Sequence, residues 1–173
     1  MLLQPVYSAP GLTAYRVPHS QCLALMWHGW LPLSAVAQAS VGLLHHRVLT
    51  NCRQLLVCLS DVQGLGEEVP AWLGYTLPGL GLAGIERVAW VHGPALRLLH
   101  LSRQLVSRVG PHPEINLFAD VEHAASWLRA PRPGWATPPT TADLARQHRA
   151  ERALTWLMMK QLAQYSLARH GVD

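Results

Sequence analysis

The run QLLVCL at residues 54–59 contains no polar alternation. A strand with one face in water alternates apolar and polar side chains, so a short run without that alternation belongs to a strand covered on both faces. Covering both faces calls for helices packed on a largely parallel sheet. A second run, 85–91 (IERVAWV), reads the same way, and 115–118 is a third, shorter strand. Between these strands lie helical patterns. Glu67, Glu68 and Pro70 open one over about 67–80, and Pro94 opens another that reaches about 109. Strand and helix in alternation, joined by short connections, imply parallel neighbours linked by right-handed crossovers.

The first thirty residues differ. Residues 2–8 and 12–17 are β-compatible and are separated by the turn pair Pro10-Gly11, and 21–30 (QCLALMWHGW) is a third, more apolar strand. They predict an antiparallel meander. The period then becomes helical over 32–47, with Pro32 in the first turn and His45-His46-Arg47 at the C-terminal end, where cations suit the helix dipole. Residues 120–129 carry the clearest local pattern of all. Asp120 is placed to cap, Glu122 lies in the first turn, and Val121, Ala124, Ala125 and Leu128 recur at helical spacing. The expected fold class is α/β, a mixed sheet with an N-terminal antiparallel meander and crossover helices.

Three segments follow: a domain over 1–129, a Pro-rich linker over 130–140 (APRPGWATPPT), and a C-terminal amphipathic helix within 141–173 that runs to about residue 169. The stripe Leu154, Leu157, Met158, Leu162 and Tyr165 must cover a surface. The core reads complete by residue 129, so a partner subunit is the expected surface and docking on its own chain the alternative. The charge supports this division. The chain carries 14 Lys+Arg against 10 Asp+Glu, but the Arg at 16, 47, 53, 87, 97, 103 and 108 balance the acids at 61, 67, 68, 86, 114, 120 and 122. The excess cations belong to the tail, without the dense basic stripe that nucleic-acid binding requires.

Several chemistries are excluded. Cys22, Cys52 and Cys58 are odd in number and lack CxxC spacing, so neither a disulfide framework nor zinc is expected. The ten histidines are scattered, without an HxxxH pair enclosing an acid. GLGLAG at 79–84 follows a helix and precedes a strand, the reverse of the order a dinucleotide site needs, and reads as helix termination and a tight turn. No P-loop, GxSxG elbow or local Cys–His pair is present. No catalytic residue, metal or cofactor is expected. No apolar run approaches the roughly 18 residues of a membrane span, and the first residues lack a signal-peptide pattern, so a reducing cytoplasm is the expected setting.

The candidate site is the loop expected after the 54–59 strand, with Ser60, Asp61, Gln63 and Gly64, joined by His92 after the next strand. Loops at the carboxyl ends of parallel strands are where ligands bind in open α/β sheets. A structural role, Ser60 and Asp61 forming a turn and capping nearby amides, is the competing reading.

The segments LLVCLSDVQG (55–64), ERVAWVHGP (86–94) and FADVEHAASWL (118–128), in this order of elements, resemble the STAS/SpoIIAA-like group of small bacterial domains. The resemblance spans about 1–129 and leaves the tail outside it. It implies a non-catalytic module for protein–protein regulation, or in some relatives the binding of a lipid or nucleotide. Anti-anti-sigma members carry a phosphorylated serine at the start of the second helix. Here Gln63-Gly64-Leu65-Gly66-Glu67-Glu68 follows Ser60-Asp61-Val62, with no serine or threonine at the switch position, and Ser60 is not its equivalent. The expected function is thus a regulatory or interaction module that self-associates as a homodimer through its C-terminal helix, or binds another protein. The alternative is a small-ligand carrier whose apolar cleft is lined by Trp27, Trp30, Trp72 and Trp90.

Overall fold

The computed structural model describes residues 3–131, except positions 19, 46, 47, 50, 108, 110 and 111, together with isolated positions 145, 149, 152, 153, 156, 159 and 160. Three strands, β1 (Gln4–Ala9), β2 (Leu12–Arg16) and β3 (Cys22–Leu31), pair antiparallel in sequence. The chain then crosses over through α1 (Leu33–His45) to β4 (Gln54–Leu65), through α2 (Val69–Thr76) and the single turn α3 (Gly79–Leu82) to β5 (Arg87–Val91), and through α4 (Leu96–Val106) to β6 (Glu114–Phe118). These last three pairings, β3 with β4, β4 with β5 and β5 with β6, are parallel, so the six strands lie in sheet order as they do in sequence. Helix α5 (Val121–Arg129) follows β6.

Side chains alternate across this sheet and divide the core in two. Leu55, Val57 and Leu59 of β4 and Val88 and Trp90 of β5 join the large cluster beneath α1, α2 and α4. Their neighbours Leu56, Cys58, Ala89 and Val91 turn the other way and pack with Ala124 and Leu128 of α5. Period-2 alternation with both faces apolar is what the unbroken runs in β4 and β5 require.

Three expectations need correction. The 54–59 strand extends to Leu65, because β3 also runs on to Leu31 and keeps pairing with it, His28 opposite Asp61, Gly29 opposite Val62 and Trp30 opposite Gly64. Register shifts between Met26 and His28 and between Gly29 and Trp30 accommodate the extension. Ser60, Asp61, Gln63 and Gly64 are therefore strand residues, and the loop expected there does not exist. The helix expected over 67–80 is split. Glu68 is its N-cap without a side-chain cap bond, Pro70 sits in the first turn, and α2 ends at Thr76, two residues before Pro78, which cannot donate a backbone hydrogen bond. Part of the GLGLAG string, Gly79–Leu82, is itself helical, and the turn that ends it comes at Gly84, with φ +88°.

Helix α5 forms as expected. The Asp120 carboxylate accepts the His123 backbone N–H at 2.9 Å and also meets the His123 imidazole Nδ1 at 2.8 Å. These bonds hold the Asp120 carboxyl below its ordinary pKa, while the same carboxylate raises that of His123. The other end is held by the sheet. Gln54 Nε2 donates to the Leu128 carbonyl at 2.8 Å, and Arg87 Nη1 donates to the Ala130 carbonyl at 3.2 Å. The Arg87 guanidinium also lies 3.8 Å above the Trp127 ring and pairs with Glu114. Carbonyls of the last turn, which have no partner within a helix, are satisfied by the two polar residues that begin β4 and β5.

Among the described positions of the tail, Ala145, Arg149, Arg152, Ala153, Trp156, Met159 and Lys160 are helical and exposed. The remaining residues of the expected C-terminal helix, including Leu154, Leu157, Met158, Leu162 and Tyr165, and nearly all of the linker, lie outside the described residues.

Candidate functional site

Leu, Val and Trp side chains dominate the face of the sheet under α1, α2 and α4, and they do not fill it. A cavity of about 90 Å³ remains, lined by Leu25, Trp27, Val57 and Trp90 from the strands and by Trp72 from α2 and Leu105 from α4, among others. Among the described residues, no charged side chain lines it. The hydroxyls on its wall are Ser40, Thr76 and Ser102, and each donates to the carbonyl four residues earlier in its own helix, at 2.8, 3.1 and 2.7 Å respectively. Their hydrogens are thereby committed to backbone. A cavity with such a wall favours neutral, largely apolar contents, because an ion entering it would lose water and find no counter-charge.

A second, more open cleft of about 400 Å³ lies against the first at Leu65 and Leu101, which line both. Its walls are the end of β4, the start of α2 and one side of α4 from Arg97 to Gln104, and they bring together Gln63, Gly64, Glu67, Arg97, His100 and Gln104. His100 and Gln104, one helical turn apart, are hydrogen-bonded at 3.0 Å. This is the carboxyl end of the parallel strands, where the α/β architecture concentrates ligand sites.

The expected site residues divide between this cleft and elsewhere. Gln63 and Gly64 line the outer cleft; Ser60, Asp61 and His92 line neither space. Ser60 instead accepts from the Cys58 thiol at 3.3 Å, and the backbone of Gly93 packs closely upon it. Gly93 has φ +65°, and a side chain there would press to 3.0 Å of the Ser60 Cα, so Ser60 and Gly93 are matched in a close backbone approach. His92 turns its Nδ1 to the Gly93 carbonyl. Of the four tryptophans expected in a cleft, Trp27, Trp72 and Trp90 line the inner cavity. Trp30 does not; it is exposed, and its ring lies over Gly64, where any Cβ would collide with it.

Sequence reasoning missed Arg97, His100 and Gln104, which stand more than thirty residues beyond Gln63. For Arg97 and His100, a position in the first two turns of the helix after a buried strand is the signal that places them at the carboxyl end of the sheet, and Gln104, a turn further on, carries no such signal. The three cysteines are buried and free. Burial pushes the Cys22 thiol up to about 11 and the Cys52 thiol up to about 12, which leaves both as neutral packing groups at physiological pH. Among the described residues, no three His, Cys, Asp or Glu side chains gather as a metal site would require, and no helix is long and apolar enough to cross a membrane.

No family model matches this chain, and no curated protein matches it. A solved structure does: an uncharacterised protein of the DUF3478 family with a SpoIIAA-like fold from Shewanella loihica PV-4. The likeness covers 74% of this chain and 96% of that one at 20% identity, with a TM-score of 0.50. At that identity it establishes the architecture, a SpoIIAA-like mixed α/β sheet.

Proposed function

We propose that this chain is a non-catalytic binding module whose SpoIIAA-like domain, residues 1–129, carries a small ligand of largely apolar body in the cavity beneath α1, α2 and α4. The observation that carries this reading is the uncharged, apolar cavity set against a wider, polar cleft at the carboxyl end of the sheet. A well-packed core of this size leaves few voids larger than a water, and an apolar one stays dry until an apolar molecule fills it. The test is native mass spectrometry of protein purified from cells, followed by titration with small apolar compounds read by tryptophan fluorescence. A co-purifying small molecule, or a saturable change in fluorescence, is expected. Bare protein together with an unresponsive signal would overturn the reading.

A second reading, regulation through self-association, is favoured by a different region. Trp156 and Met159 are helical and 65% and 52% exposed, and a helix that leaves such side chains in water offers them to a partner. With Leu154, Leu157, Met158, Leu162 and Tyr165 they would form the contact of a homodimer. Removal of residues 130–173 is then expected to lower the mass in solution while the α/β domain still folds. An unchanged monomeric mass before and after removal would overturn it.

A further inference from the structure

The outer cleft carries both signs of charge, and they stand on different elements. Its α4 wall presents Arg97 and, one turn later, His100. The imidazole accepts at Nε2 from the Gln104 amide, an NH2 group that can only donate, so His100 holds its hydrogen on Nδ1 and is a donor there. The other wall, from the end of β4 to the start of α2, presents the Glu67 carboxylate and the Gln63 amide. Among the described residues Arg97 and Glu67 form no ion pair, either with each other or with another side chain. Much of the remaining lining is apolar, with Leu65, Pro70, Leu98 and Leu101 on the same space. A cleft of about 400 Å³ that is mainly apolar and has a few polar groups converging on it has the size and make-up of a small-molecule site.

We propose that this cleft binds a small zwitterion with an apolar body, of the class of the apolar α-amino acids, with its carboxylate at Arg97 and His100 and its ammonium group at Glu67. An anion alone would be repelled by Glu67. A cation alone would be repelled by Arg97, and an uncharged molecule would leave both charges unmatched. A molecule that carries both signs suits the two walls at once, while its hydrocarbon part covers the leucines. This site is distinct from the inner cavity of the ligand-carrying reading, whose described lining holds no charge, and it does not depend on that reading.

The probes are L-leucine, isocaproate, which is leucine without its amine, and isoamylamine, which is leucine without its carboxylate. Each is titrated near neutral pH into ¹⁵N-labelled full-length protein as wild type, Arg97→Met and Glu67→Gln, and binding is read from the amide signals. Leucine is expected to bind the wild type about fivefold tighter than either singly charged probe, the upper range for one exposed charge pair. It should move the amides of Gly66, Glu67 and Arg97. Arg97→Met should remove the advantage of leucine over isoamylamine and keep its advantage over isocaproate; Glu67→Gln should do the reverse. Both positions are exposed, and a general loss of structure would not produce this crossed pattern. Should a variant fail to fold, the ranking of the three probes by the wild type decides the matter alone. Equal affinities for the three probes, or loss of both advantages in each folded variant, would overturn the proposal. An absence of any shift with leucine would overturn it as well, and would leave the reading of the inner cavity standing.

Discussion

The two faces of one sheet are packed by different rules in this protein. On the α5 face the strands present Cys22, Ala24, Leu56, Cys58, Ala89 and Val91, four of the six small, and the helix answers with Ala124 and Leu128. Gln54 and Arg87 fasten the last turn of that helix to the sheet. On the opposite face the strands present leucines, valines and tryptophans to three helices, and those large side chains meet without filling the volume. One helix held at its end by the sheet covers the first face, and three helices positioned by their crossovers leave a pocket on the second. The space adjoins, at Leu65 and Leu101, the cleft at the carboxyl end of the strands, where the ligand sites of parallel α/β sheets are found.

The largest effect should come from releasing the fastened helix. Arg87→Met keeps the apolar stem but removes the donor to Ala130, the charge beside Glu114 and the cation over Trp127. Glu114 is 40% exposed, so the loss rests mainly on the charged donor to Ala130 and costs about 2 kcal/mol, to be read as a lower midpoint in urea. An unchanged midpoint would show that α5 is held by its apolar contacts alone.

Enlarging a side chain should have opposite signs on the two faces. Ala89→Leu, beneath α5, inserts carbons where there is no room and is expected to destabilise by roughly 1–3 kcal/mol. Val57→Ile, on the cavity wall, adds one buried methylene to empty space and should stabilise by up to about 0.8 kcal/mol. The same change should weaken any ligand held there. Both measurements are equilibrium denaturation, and a Val57→Ile variant less stable than wild type would argue that the cavity is closed by side-chain movement in solution.

The smallest effect lies at the start of α5 and depends on pH. The Asp120 carboxyl is depressed, so its contribution is complete above the ordinary value of 3.8 and is lost as pH falls through the folded value below it. The His123 pKa is raised, so its contribution is complete below 6.5 and is lost as pH rises through the folded value above it. The difference in melting temperature between wild type and Asp120→Asn, which keeps a capping oxygen, should therefore be greatest between pH 3.8 and 6.5 and shrink on either side. A difference independent of pH would assign the whole effect to the backbone cap.

How much of this was legible follows from how local each feature is. The capping of α5 by Asp120 and the covered strands at 54–59 and 85–91 were legible because cap chemistry and period-2 burial are written within a few residues. The extension of β4 to Leu65 was not, since its polar residues Ser60, Asp61 and Gln63 look like a loop until β3 is seen to continue beside them. The fastening roles of Gln54 and Arg87 were hidden for the same reason: each begins a strand, and each acts on carbonyls 74 and 43 residues away. Three of the four tryptophans proposed for a cleft do line the cavity, but composition could not separate them from Trp30, whose direction is set by its place on β3 and by the absence of a side chain at Gly64.

The sequence by itself determined the alternation of strands and helices, the order that makes two pairings of the sheet antiparallel and three parallel, and the N-terminal cap of α5, because periodicity and capping are properties of neighbouring residues. The tertiary structure decided where space and polar groups meet: which tryptophans line one cavity, and which residues of α4 stand opposite the end of β4. Those relations join side chains tens of residues apart, and only the packing of helices across the sheet brings them within reach of one another.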